Sequence, residues 1–306
     1  MNEVKSIQAW LLLIVITLVF MEFNCDNKAH FSGHETFVCK SLWLKKGYDF
    51  VKEHHSFNDD DAVVYLGVGK NMVASIRYWL LSFGLMNQDN KISPFADYIF
   101  STETGCDPFV EDNQTLWLLH WSLVYTNYAT IYRQLFCDFH RERKEFSKSN
   151  ILAFLRRKNF DKSFSGIVWN DNTISKDIST LIRMYVTANT NVCDDYSSIL
   201  INLNLIKLIE KDLYDFNYST KSKINPLIFF YAVHKLSNGS QVVEFDKMQE
   251  LSRIFCLSQS ELFDIFSQLT AINSNITFDN SAGEQLFTIR QDFNEYEILD
   301  MYYKER

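Results

Sequence analysis

The chain has 306 residues, 47% apolar and 22% charged, a balance that excludes a disordered or low-complexity polypeptide and allows two domains of about 150 residues or one large one. Only nine Gly and three Pro stand against 15% aromatic residues, which argues against turn-rich β architectures and for a mainly α protein. A net charge of −8 excludes a surface that grips nucleic acid everywhere, so any such contact must sit on a local patch.

The first element is an apolar leader over 1–21, whose run from Ala9 to Met21 follows Lys5 and is broken by Glu22. It falls short of the ~20 residues that cross a bilayer as a helix. No small-x-small cleavage site follows, and Phe23-Asn24-Cys25 is a poor lipoprotein acceptor. Three readings remain open: a translation start at Met21, a signal or anchor, and a buried helix. Six cysteines, Cys25, Cys39, Cys106, Cys137, Cys193 and Cys256, show no C-x-x-C pair or regular spacing. They read as buried free thiols in a reducing compartment rather than as a zinc or disulfide framework. Cytoplasmic location is the expectation, with export or anchoring as the alternative.

The segment 22–105 reads as a winged helix-turn-helix domain. A loop and helix carrying FSGHETF and WLKKGYDFV close on Asp59-Asp60-Asp61. Asp60 or Asp61 can cap a short helix over Ala62–Leu66 that Gly67 ends. After the turn Gly67-Val68-Gly69, a second helix begins near Lys70-Asn71. Its apolar face is Met72, Val73, Ile76, Trp79, Leu80 and Phe83, and Gly84 ends it. The other face carries Lys70, Asn71, Ser75, Arg77 and Tyr78, residue types that meet base edges in the major groove when a recognition helix presents them. Leu85–Ile92 fits a hairpin turning at Asp89-Asn90, with Lys91 on the wing. Ser93-Pro94 then caps and opens the helix PFADYIF.

The segment 106–225 reads as a helical platform. Between Arg133 and Lys162 nine basic residues face four acidic ones, a local balance of +5. Arg141, Arg143, Arg156, Arg157 and Lys158 are therefore the candidate phosphate contacts, unless the charges pair among themselves on a solvated surface. Ser175-Lys176-Asp177 opens another helix, through Ile178, Leu181, Ile182 and Tyr185. The segment 226–306 reads as a second winged-helix-like unit: a helix over Leu227–Leu236, a turn at Asn238-Gly239, and helices near Phe245–Phe255 and Ser258–Leu269. Ser258 with Glu261 forms a capping box, and Ile276–Arg290 can be a wing turning near Asn280–Gly283. Five basic against twelve acidic residues over 241–306 suit this unit to protein partners rather than DNA.

Other motifs carry less. Gly67-x-Gly69-Lys70 lacks the phosphate-loop spacing, and no Ser-His-Asp elbow, kinase signature or dinucleotide fingerprint occurs. His34-Glu35, His54-His55 and Asp59-Asp60-Asp61 hold the residue types of a metal or acid-base site without a ligand spacing. Ser32, Gly33, His34, Glu35 and Thr36 read better as a polar knot pinning its loop. His120 sits in an apolar helix and reads as a satisfied core histidine.

FSGHETF at 31–37, WLKKGYD at 43–49, LGVGKNMVASIRYW at 66–79 and DPFVEDNQTLWLLHW at 107–121 together resemble the uncharacterised bacterial domain-of-unknown-function family numbered 4007. The resemblance runs from Phe31 to Tyr302-Tyr303, closest in the first 120 residues and loosest over 140–225. It implies a chain that starts just before the SGHETF motif, favouring Met21. It also implies a setting beside DNA-modification and anti-phage genes, including those that place sulfur in the DNA backbone, and brings no catalytic activity or cofactor. The resulting expectation is a non-enzymatic DNA-binding regulator or DNA-reading subunit that contacts double-stranded DNA and not membrane. A protein-protein adaptor is the alternative, and a metal-dependent nuclease built on His34, Glu35 and Asp59–Asp61 a minor one.

Overall fold

The computed structural model describes residues 29–161, 164, 167–187, 198–219, 223–279 and 285–305. The apolar leader, Met21, Cys25, Cys193 and the expected turn at 280–283 lie outside the described residues. Helix makes up about 53% of the structure, so the protein is mainly α, with two small antiparallel sheets among the described residues.

In the N-terminal unit α1 (Trp43–Lys52) packs on α3 (Lys70–Ser82), with α2 (Ala62–Tyr65) and α4 (Pro94–Phe100) beside them. The succession of helices and their ends at Gly67 and Gly84 follows the sequence reading. Gly67 (φ 59°) and Gly84 (φ 64°) end α2 and the turn after α3, in the left-handed conformation that glycine adopts without a Cβ clash. Ser93 caps α4 by accepting the Ala96 N–H at 3.1 Å, with Pro94 in the first turn. The Asp61 side chain does not cap α2. The hairpin is reduced to one bridge, Met86 to Ile92, held by a turn in which Asn90 takes φ 59°.

α5 (Asn113–Tyr125) is apolar on all sides and buried from Thr115 to Trp121. Such a helix belongs at the centre of a fold, and the other units pack around it. Its His120 joins three elements. One ring nitrogen lies 2.9 Å from the Tyr185 hydroxyl and the other donates to the Ile254 carbonyl at 2.8 Å. Burial lowers its pKa to about 4.

The expected helical middle is corrected by a sheet. After α6 (Thr130–Arg133), a π-helical stretch (Gln134–Phe139) and α7 (His140–Glu142) come β1 (Glu145–Phe146), α8 (Lys148–Phe160), α9 (Asp171–Tyr185), β2 (Ile206–Glu210) and β3 (Leu213–Phe216), the strands ordered β1-β3-β2. β2 buries only Ile206 and so shows no alternation that would mark it in the sequence. The C-terminal unit repeats this order: α10 (Pro226–Ser237), β4 (Val242–Glu244), α11 (Phe245–Ile254), α12 (Gln259–Ile272), β5 (Ile276–Asp279) and β6 (Leu286–Ile289), with strands β4-β6-β5. The Ser258–Glu261 capping box forms at α12. A final helix, α13 (Glu295–Tyr303), folds back on the N-terminal unit. Tyr98 donates to Asp300 at 2.9 Å, Tyr302 donates to Asp112 at 2.9 Å, and the Thr115 and Tyr303 hydroxyls meet at 2.7 Å.

Candidate nucleic-acid interface

α3 places Val73, Ile76, Trp79 and Leu80 in the core, on the apolar face read from the sequence. Its opposite side forms a strip. Lys70, Asn71 and Ala74 are exposed along the first turns, after an extended Gly69 that offers no side chain to cap the helix. One turn further on, Arg77 reaches across to the hairpin. Its Nε donates to Asn90 Oδ1 at 3.0 Å and its Nη2 to the Gln88 carbonyl at 3.2 Å. The hairpin turn is itself fixed by Asn87, whose carbonyl accepts the Asn90 N–H and whose side chain accepts the Lys91 N–H at 2.9 Å. Lys91 is left exposed at the end of the strip. Among the described residues Lys70, Arg77 and Lys91 form no ion pair with a carboxylate.

Two residues expected on this strip are corrected. Ser75 has no exposed surface, one turn before the buried Trp79, and Tyr78 is 6% exposed beneath the SGHETF loop. Neither can reach a base edge. The sequence misled there because hydroxyl-bearing residues serve a polar face and a polar-lined core equally well. Sequence reasoning missed Asn87 and Gln88, and it read Asn90 only as a turn residue, not as the acceptor that holds Arg77.

The basic stretch of the middle unit divides in two. Arg156 pairs with Asp171 through Nε at 2.9 Å and Nη2 at 2.5 Å, and these hydrogen bonds hold the Asp171 carboxyl below its usual range. Arg157 pairs with Glu142 at 2.5 Å and Lys158 with Asp138 at 3.0 Å. Their charge is compensated inside the protein, the outcome the sequence left open as self-pairing. Arg141 and Arg143 are exposed and have no such partner among the described residues.

The SGHETF loop is a built junction. Asp177 of α9 accepts the Ser32 N–H at 2.7 Å and lies 2.9 Å from His34 Nε2, while His34 Nδ1 accepts the Thr36 N–H at 3.0 Å. With Nδ1 an acceptor, the ring proton sits on Nε2 and is donated to Asp177. Arg183 donates to the Thr36 carbonyl at 2.6 Å and Trp79 to the Phe37 carbonyl at 3.2 Å. Ser32, Gly33, Glu35 and Thr36 all take positive φ, and a Cβ on Gly33 would stand 2.7 Å from the Tyr78 ring. The loop thus links α3 to α9, as the polar-knot reading expects. Asp177 was detectable: with Ile174, Ile178 and Leu181 it is a lone carboxylate on an apolar helical stripe.

The residue types noted for metal or acid-base chemistry go to separate places. His34 is committed to Asp177, and His55 stacks between Phe50 and Tyr65 at ring distances of 5.1 and 3.9 Å. Asp59 accepts the Ser56 N–H at 3.3 Å. Among the described residues no group of three or more His, Cys, Asp or Glu side chains is placed to hold a metal ion. Among them, too, no helix is long and apolar enough to cross a membrane.

The family model described as "Protein of unknown function (DUF4007)" matches residues 31–303, nearly the whole chain. No curated protein matches the sequence. Two solved structures are similar in fold, one described as "SspB crystal structure" (TM-score 0.76) and one as "Magnesium ion-bound SspB crystal structure" (TM-score 0.75). Each is 22% identical, covering 90% of this chain and 88% of the other.

Proposed function

Since the chain belongs to the DUF4007 family, whose setting the sequence resemblance places beside DNA-modification and anti-phage genes, we propose that it is a DNA-reading subunit or regulator of such a system, including those that place sulfur in the DNA backbone. The observation that carries this reading is the α3 strip. Lys70, Arg77 and Lys91 stand along one helix and its hairpin without carboxylate partners, whereas Arg156, Arg157 and Lys158 are neutralised. In a chain of net charge −8, uncompensated cations aligned on a rigid helix are a local footprint for phosphate.

On this reading the N-terminal unit is a winged helix-turn-helix with α3 as its recognition helix. Lys70 and Asn71 meet base edges, and Asn71 has the side-chain amide that pairs with adenine in a bidentate way. Arg77 stiffens the helix-hairpin junction and Lys91 touches backbone, while Arg141 and Arg143 supply further phosphate contacts. The strand orders of the middle and C-terminal units fit winged-helix folds as well, the C-terminal one acidic and suited to protein partners.

An adaptor role is favoured by a different surface. Leu42, Tyr65 and Phe109, each more than half exposed, rim a cleft of about 310 Å³ beside α1, an apolar grouping of the kind protein interfaces use.

The test is fluorescence anisotropy on duplex DNA, with and without backbone sulfur. Wild-type affinity is expected to fall steeply with salt and to weaken about tenfold or more in K70A/N71A. Equal, salt-insensitive binding by both proteins would defeat the reading. Because one structure of similar fold is described as magnesium ion-bound, the same protein is assayed for nicking of supercoiled plasmid with Mg²⁺ and with EDTA. Mg²⁺-dependent nicking would move the conclusion to a nuclease.

A further inference from the structure

A second group of unpaired cations lies where the middle unit meets the C-terminal unit. α7 abuts α11 through His140, whose Nδ1 donates to the Arg253 carbonyl at 3.1 Å and whose Nε2 accepts the Tyr218 hydroxyl at 2.8 Å. Lys144 Nζ lies 5.4 Å from the Tyr218 ring centroid. Arg253 lines a cleft of about 240 Å³ with Gln249, Ser252 and Gln259, and its Nε is buried with no hydrogen-bond partner. Arg141, one residue beyond His140, is exposed. Of the nearby carboxylates, Glu250, whose charge also acts on Arg253, pairs with Arg133 at 3.0 Å, Glu142 pairs with Arg157, and Asp215 pairs with Lys207 through Oδ2 at 3.2 Å while its Oδ1 is buried with no hydrogen-bond partner.

We infer that Arg253, Arg141 and Lys144 form a phosphate-binding site at this junction. A buried guanidinium N–H without an acceptor is an incomplete arrangement, and the planar fork of arginine matches a phosphate oxygen pair. The electrostatics agree. After burial, the charge of Arg141 is the next influence lowering the Arg253 pKa, and the charges of Arg253 and Lys144 add to burial in holding His140 down to about 3. Mutual repulsion among cations at one place is relieved by an anion. The site uses a cation of the otherwise acidic C-terminal unit and stands on observations separate from the α3 strip.

Two sources can supply the phosphate, a nucleic-acid backbone or a free phosphate compound, and two arms separate them. Pyrophosphate is expected to raise the melting temperature of the wild type, less so that of R141Q, and not that of R141Q/R253Q. R156Q, which breaks an existing pair, serves as control. With duplex DNA, R141Q/R253Q is expected to lower the slope of log affinity against log salt by about 1 relative to R141Q alone, the contribution of one phosphate contact beyond that of Arg141. Loss of the pyrophosphate shift with an unchanged DNA slope assigns the site to a free phosphate compound. A lowered slope assigns it to nucleic acid. The exposed R141Q keeps the test valid if R253Q fails to fold. Equal pyrophosphate shifts in all proteins with unchanged DNA slopes would overturn the site. K70A/N71A run alongside isolates failure of the DNA-reading proposal, because its effect does not pass through Arg253.

Discussion

His34 shows how a residue of catalytic type is spent on structure: both ring nitrogens are engaged, and Asp177 has both carboxylate oxygens occupied. Removing either partner leaves a buried polar group unpaired, so D177A is expected to cost about 2 kcal/mol in chemical denaturation, with DNA binding at the strip retained. G33A places a Cβ against Tyr78 at a positive φ and is expected to destabilise by about 2 kcal/mol as well, whereas G67A, with open space around its Cβ position, suffers only from its φ. Two other histidines set an acid limit. His120 and His140 have folded pKa values of about 4 and about 3, below the usual 6.5, mainly through burial. The unfolded chain therefore takes up these protons first. Stability contributed by the neutral rings is full above pH 6.5 and falls as pH drops from 6.5 towards 3–4. Urea midpoints are expected to decline across that window, and H120Q to decline less steeply. The sequence identified His120 as a core residue from its apolar helix, but not His140, whose neighbours Phe216 and Tyr218 come from the end of β3 and the turn after it, almost eighty residues away.

At the scale of elements, α3 and its hairpin behave as one piece because Arg77 ties them together. R77A removes two hydrogen bonds to the turn. It is expected to weaken DNA binding indirectly, by loosening the turn, and also to raise hydrogen exchange at Asn90 and Lys91. K91A is expected to weaken binding without that second effect. The N-terminal helices were legible because caps and glycines mark their ends: Ser93-Pro94, Gly67 and Gly84 act within a few residues of sequence. The middle sheet was not, since β1 has two residues and β2 is an edge strand exposing Leu208 and Ile209, leaving no period to read. Asn170, which starts α9 by accepting two backbone N–H groups, was also passed over in favour of the Ser175 turn.

Across the whole molecule, three units share one core, and α13 clasps the first through Tyr98 and the start of α5 through Asp112 and Thr115. Leu299 of α13 is fully buried, so L299A is expected to destabilise by about 3 kcal/mol and to lower a single melting transition that includes the N-terminal unit. The sequence showed the order of helices and the repeated C-terminal grammar, but the docking of α13 and the pairing of Arg156, Arg157 and Lys158 depend on contacts that only the folded chain makes. That pairing is why net local charge overstated the middle unit and why the α3 strip carries the DNA-reading proposal. The most direct measurement compares salt dependence of duplex binding for wild type, K70A/K91A and R156Q/R157Q/K158Q. The expected result is a slope lowered by about 1 in K70A/K91A, through loss of the Lys91 backbone contact, and unchanged in the triple variant. A slope unchanged in K70A/K91A but lowered in the triple variant would contradict the account.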